Sequence, residues 1–177
     1  MKTSSTWSLW VGTMLTAIAC VPSEAWAADR VSGTVTRTYV LVEDTDLIGD
    51  VTCDVANNAP CFSFGAPGIE LRLNGFTITG RGDAVIGCGG VLFAGEAAVT
   101  TNGMRQVGVR GPGLVQRFRG DGVTVAGSTD ARVEDLTLST NCMSGVRVLA
   151  TSFGTVVQNN ISVRNGSTAP GAQCGGI

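Results

Sequence analysis

A chain of 177 residues with no histidine must do any proton chemistry with carboxylates, guanidiniums, thiols or a phenol. That excludes Ser-His-Asp and Cys-His nucleophile systems and His-ligated zinc. The candidate catalytic residue is Arg147, which alternates with Val146 and Val148 and so projects from the opposite face of a strand. An arginine there could take the C5 proton of a uronate acidified by Ca²⁺, with Asp121 and Asp130 the nearest acids in sequence. A solvated surface arginine is the plainer reading, and Asp121, between Gly120 and Gly122, reads as a turn residue. Glu134 and Asp135 are adjacent, so on a strand they point to opposite faces and cannot form one carboxylate dyad. Asp44, Asp46, Asp50 and Asp54 form an acidic stretch that could attract Ca²⁺. They lack the ligand spacing of a Ca²⁺ loop, and solvated loop charge is the better reading. No other metal or cofactor is expected.

These side chains must be positioned by strands. After Ala28 no window has a capped helical apolar period. Short alternating or β-branched runs recur instead, such as Tyr39–Val42, Ile69–Leu73, Val123–Val125, Val133–Leu138 and Val146–Val148. The chain is therefore expected to be all-β. Gly122-Val123-Thr124-Val125 is echoed by Gly145-Val146-Arg147-Val148 at a period of 23, and Val133–Leu138 by Val157–Val163 at 24 to 25. Longer steps set Gly90-Val91 before Gly122-Val123, and Gly176-Ile177 after Gly145-Val146. Such repeats suit a parallel β-solenoid, each strand beside its counterpart one turn on, roughly 4.8 Å away. Val123, Val125, Val146 and Val148 would then stack inward, with Thr124 and Arg147 exposed. The competing fold is an antiparallel β-sandwich, for which Asn74-Gly75, Asn102-Gly103 and Asn165-Gly166 are hairpin signals.

The N-terminus carries its own message. Lys2, the apolar run Trp7–Cys20 and Ala25-Trp26-Ala27 read as a secretory signal peptide over residues 1–27, leaving 28–177 as one domain. A lipobox reading would anchor the chain through Cys20, but Ala17 stands where Leu is usual. The apolar run is short for a membrane span. Either way the chain is exported, to the cell envelope or the extracellular space. Trp7, Trp10 and Trp26 all lie within the signal, so no tryptophan remains for sugar stacking. The net charge of −2 gives no footprint for nucleic acid.

Export makes disulfides expected among Cys53, Cys61, Cys88, Cys142 and Cys174. Cys53 and Cys61 bracket a short loop and suit a local bridge. In a solenoid Cys142 and Cys174 would lie on adjacent turns, within bridging distance, whereas Cys88 would be two turns from Cys142 and left over. Gly175-Gly176-Ile177 reads as the opening of another strand, so the chain is expected to be the first part of a longer one. Otherwise its open edge would invite self-association.

Leu71-Arg72-Leu73-Asn74-Gly75-Phe76-Thr77-Ile78-Thr79-Gly80 resembles the L-D-L-N-G-x-T-I-x-G stretch of exported right-handed parallel β-helix repeat proteins of the pectin-lyase-like superfamily. The likeness extends over roughly residues 31–177, with Arg72 in place of the usual Asp and Phe76 where His is common. It implies the β-helix fold, but no catalytic residue carries over, since polygalacturonase-like and epimerase-like sites need His. The expected role is structural, adhesive or glycan-associated, with polysaccharide as the partner. The alternative is a lyase or epimerase acting on acidic glycans, its site mostly beyond residue 177. Arg81-Gly82-Asp83 and Arg119-Gly120-Asp121 spell an adhesion tripeptide that coincidence explains in such a composition. Asn160 and Asn165 head glycosylation sequons; Asn160 is better read as a turn residue whose amide joins a ladder between turns.

Overall fold

The computed structural model describes residues 28–82, 93–166 and 176, which contain strands, turns and no helix. The expected signal segment, Cys20, Cys88, Gly90-Val91, Cys174 and Ile177 lie outside the described residues. Thirteen strands are described: β1 (Asp29–Val35), β2 (Tyr39–Leu41), β3 (Thr45–Cys53), β4 (Phe62–Phe64), β5 (Glu70–Arg72), β6 (Thr77–Thr79) and β7 (Ala97–Thr100), followed by β8 (Gly108–Gln116), β9 (Asp121–Val125), β10 (Arg132–Ser139), β11 (Val146–Val148), β12 (Val156–Gln158) and β13 (Ile161–Val163).

They form two sheets. The larger, sheet A, runs β1-β3-β5-β8-β10-β12, with β6 and β13 continuing the same rows; sheet B runs β11-β9-β7-β4-β2. Every described strand pair is parallel, which overturns the antiparallel sandwich. Asn74-Gly75 does make a left-handed turn, with φ of 52° and 89°. The strands it joins, β5 and β6, pair with β3 and β8 rather than with each other, so the turn is a corner and not a hairpin.

The register confirms part of the repeat. Val146 lies against Val123 and Arg147 against Thr124, at the expected period of 23, while Val157 lies against Val133 at 24. Before Gly122-Val123 the described neighbour of Val123 is Val99, again at a period of 24, while Gly90-Val91 lies outside the described residues. The long step comes one strand sooner, where Phe62 pairs with Val99 across the segment 83–92. Corners recur at the same phase. Gln106 and Asp130 are one such period apart, as are Asp135 and Asn159, and all four have φ between 56° and 61°. Asn and Asp tolerate this left-handed region better than most side chains, which fits their places at three of these four corners.

Between the sheets lies one apolar cluster. Leu71, Val109 and Val133 form one inward row, Ile78, Val115 and Leu138 another, and Phe62, Phe64 and Phe118 are fully buried beside them. Val123, Val125 and Val146 are buried as expected, but Val148 is 43 % exposed. Its row ends there among the described residues, so nothing described covers its outer side. Thr124 is 8 % exposed rather than open, because Arg147 and Asp121 close over it. The Cys53–Cys61 disulfide, Cα atoms 5.7 Å apart, ties the end of β3 to the start of β4.

Candidate functional site

The outward face of sheet B carries a row of side chains set by the parallel register, polar in all but Val40. Val40, Ser63, Thr100, Thr124 and Arg147 stand side by side on β2, β4, β7, β9 and β11. Ser63, Thr100, Thr124 and Arg147 line a groove of about 300 Å³, with Pro60 and Ala97 supplying apolar surface. The Ser63 and Thr100 hydroxyls lead toward a guanidinium that is 30 % exposed and paired with a buried carboxylate, while the Thr124 hydroxyl is already given to Asp121.

Arg147 is not the lone solvated residue that its strand position suggested. Its Nε lies 2.8 Å from Asp121 Oδ2, an ion pair off the line of an N–H hydrogen bond. The Arg147 side chain is 30 % exposed and that of Asp121 is completely buried. Asp121 also accepts the Ser144 N–H at Oδ1 and the Thr124 hydroxyl at Oδ2, both at 3.1 Å. Burial pushes the Asp121 carboxyl above the usual aspartate range, while the Ser144 N–H, the Arg147 charge and the Thr124 hydroxyl pull the other way. The residue read as a turn former is thus a buried carboxylate binding the 141–145 loop to β9 and fixing the root of Arg147. Asp130, the other acid considered with Arg147, lies instead beside sheet A.

The acidic stretch does not converge on a cation position. Asp44 and Asp46 pair with Arg72, at 2.6 and 3.3 Å. Asp50 accepts the Thr77 N–H, and Asp54 pairs with Arg81. Among the described residues no group of three His, Cys, Asp or Glu side chains could hold a metal ion. Arg72 thus pairs with two aspartates about one repeat earlier.

The arginines of the two adhesion tripeptides are held by packing and ion pairs. Arg119 grips the buried Glu96 with its closest contact at 2.6 Å, stacks over the Phe93 ring at 4.0 Å, and shares Asn57 with Arg81. Asp121 of the second tripeptide is buried, and Asp83 of the first lies outside the described residues. Glu134 is nearly buried between Arg110 and Arg132, while Asp135 sits exposed in its left-handed corner.

The sequon asparagines are joints between repeats. Asn160 accepts the Leu136 N–H and donates to the Val133 carbonyl, both one repeat back, as the turn reading expected. Asn165 accepts from the N–H and side-chain amide of Asn141 and donates to the Leu138 carbonyl. Asn141, fully buried, accepts the Phe118 N–H in turn. Sequence reasoning missed Asn141; its spacing of 24 from Asn165 was the available signal. Cys142, the next residue, is disulfide-bonded, and its expected partner Cys174 is outside the described residues.

Among the described residues no helix is long and apolar enough to cross a membrane. The chain matches no protein-family model, no curated protein and no solved structure.

Proposed function

We propose that the chain is an exported right-handed parallel β-helix whose role is structural and glycan-associated, with no catalytic site of its own among the described residues. The two parallel sheets, and the near-constant sequence step between many of their paired strands, are what stacked turns of such a solenoid produce. The disulfide suits an oxidising compartment, in keeping with the N-terminal signal read from the sequence.

The observation that carries the glycan reading is Arg147 at the end of the Ser63–Thr100–Thr124 row. A guanidinium keeps its proton at any physiological pH, so it suits a carboxylate better than it suits proton abstraction. The Ser63 and Thr100 hydroxyls in line with it can exchange hydrogen bonds with the hydroxyl groups of a sugar chain, while that of Thr124 is held by Asp121. The ligand is therefore a polysaccharide bearing carboxylates, and the face binds it without cleaving it.

The test is calorimetric titration with hexagalacturonate and hexaguluronate, alongside an ultraviolet assay for unsaturated uronate. Binding is expected without product, and Arg147→Gln should weaken it about tenfold, the usual effect of losing a charge-assisted hydrogen bond. Unsaturated product that disappears in Arg147→Gln would replace this reading with the lyase. Failure of both acidic oligomers to bind would remove the glycan reading altogether.

A further inference from the structure

A second groove lies on the outer face of sheet A, built from different residues. Its volume is about 520 Å³, within the roughly 300–1,000 Å³ that ligand clefts span. One bank is a corner column: Gly68, Gln106, Asp130 and Gly154 all line the groove, and all have left-handed φ between 56° and 74°. Gln106 and Asp130 project there between two residues that have no side chain. The other bank follows the strands, where Glu70, Gly108 and Arg132 stand side by side on β5, β8 and β10. Gly108 forms the floor, since a Cβ there would come within 3.2 Å of the Glu70 side chain.

The charges in the groove are mixed, and part of their hydrogen-bonding capacity is unspent. Arg110 bridges Glu70 and Glu134 at 3.2 Å each, and Arg132 reaches Glu134 through Nη1 while remaining half exposed. Asp130 has no side-chain partner among the described residues, and of the Glu70 carboxylate only Oε1 is engaged. The lining thus offers acceptors at Asp130 and Glu70 and donors at Arg132 and Gln106. An anion would meet Asp44, Glu70 and Asp130; a cation would meet Arg110 and Arg132. An uncharged ligand dense in hydroxyls uses both kinds of group and is repelled by neither. No aromatic residue lines the groove, so recognition there is by hydrogen bonds and not by stacking.

We propose that this sheet A groove is a binding site for a neutral, hydroxyl-rich ligand of oligosaccharide class, separate from the acidic-glycan face around Arg147. It depends on Gly108 leaving the floor open and on Asp130 and Arg132 presenting an acceptor and a donor from opposite banks. Its truth does not depend on Arg147.

The experiment is calorimetric titration of the full chain with cellohexaose, xylohexaose and mannohexaose, with hexagalacturonate as the charged counterpart. Gly108→Val fills the floor with a residue that suits a strand, and Asp130→Asn removes the free carboxylate with a side chain that tolerates the left-handed corner. Either substitution should weaken binding of a neutral oligosaccharide about tenfold or more, and Arg147→Gln should leave it unchanged. If Gly108→Val fails to fold, Asp130→Asn decides alone. The proposal is overturned if none of the three neutral probes binds or if their binding survives both substitutions. It is equally overturned if Gly108→Val weakens hexagalacturonate and no neutral probe.

Discussion

Replacing Arg147 with Met should strand a buried carboxylate, and the cost should depend on pH. Asp121 is completely buried, and Arg147 is its cationic partner at 2.8 Å. Breaking a buried pair by removing one partner costs about 3–5 kcal/mol. The Arg147 side chain is 30 % exposed, so solvent screens part of that, and about 2 kcal/mol is the better figure at neutral pH. For a chain of this size that corresponds to a fall in Tm of about 4–8 °C. The sign with pH follows from the raised carboxyl of Asp121. A group that holds its proton more tightly when folded favours the folded state at low pH and loses that contribution as pH rises through the folded value. Removing Arg147 takes away a charge that favours the ionised form, so the Asp121 carboxyl should rise further. The Arg147→Met penalty should therefore be larger at neutral pH and shrink as pH falls through the raised folded value of Asp121, above the ordinary aspartate value of 3.8. Urea unfolding of the wild type, Arg147→Met, Asp121→Asn and the double variant across this range measures it. The double variant should recover most of the loss at neutral pH, because no charge is then stranded. A penalty that is constant with pH, or a double variant no better than Arg147→Met, would refute the reasoning.

Tyr39 donates a hydrogen bond to Asp29, which with burial and the Asp29 charge pushes the phenol up to about 12 from 10.0. The stability it contributes is complete below pH 10 and is lost as pH rises toward 12; Asp29→Asn should return the ultraviolet titration midpoint toward 10, and an unchanged midpoint would contradict this. Converting both Cys53 and Cys61 to Ser should cost about 2–3 kcal/mol, from the entropy of a loop closed over a sequence separation of 8, read by urea denaturation under non-reducing conditions. Asn141→Leu should cost about 2–3 kcal/mol, since it strands the buried Phe118 N–H and breaks the bond to Asn165. Asn160→Ala, at a more exposed corner, should cost less than Asn141→Leu in the same assay, and equal losses would contradict the burial argument.

Much of the fold was legible in the chain itself. Alternating runs with β-branched residues have a period of two and no capped helical windows, so strands were the only regular structure available. Near-equal spacing between like runs gave the register of β9 with β11 and of β10 with β12, because parallel neighbours repeat their pattern in step. Cys53 and Cys61 are close enough in sequence for the intervening loop to bring them together. The echo at Gly90-Val91 did not reveal Val99 as the neighbour of Val123, because Gly-Val pairs recur in this composition and a local echo carries no information about which of two strands is the neighbour. Asn74-Gly75 favoured the competing sandwich for a related reason: a left-handed pair dictates a reversal of direction, not which strand the next one pairs with.

The candidate sites were another matter. Sequence placed Arg147 on an outward face, since alternation alone decides that. It could not show that Asp121, a full repeat earlier, packs against it, because that contact arises from stacking β11 on β9 and folding the 141–145 loop back over both. Likewise Gly68, Gln106, Asp130 and Gly154 are scattered along the chain with no common motif. They become one bank of a groove because four successive corners share a phase and a left-handed backbone. Residue type and period thus determined that this chain forms strands, which way Arg147 faces, and that the 53–61 bridge could close. Which carboxylate is buried, which arginine is held and where the grooves open were decided by the tertiary structure, since burial and charge pairing depend on neighbours brought close only when the repeats stack.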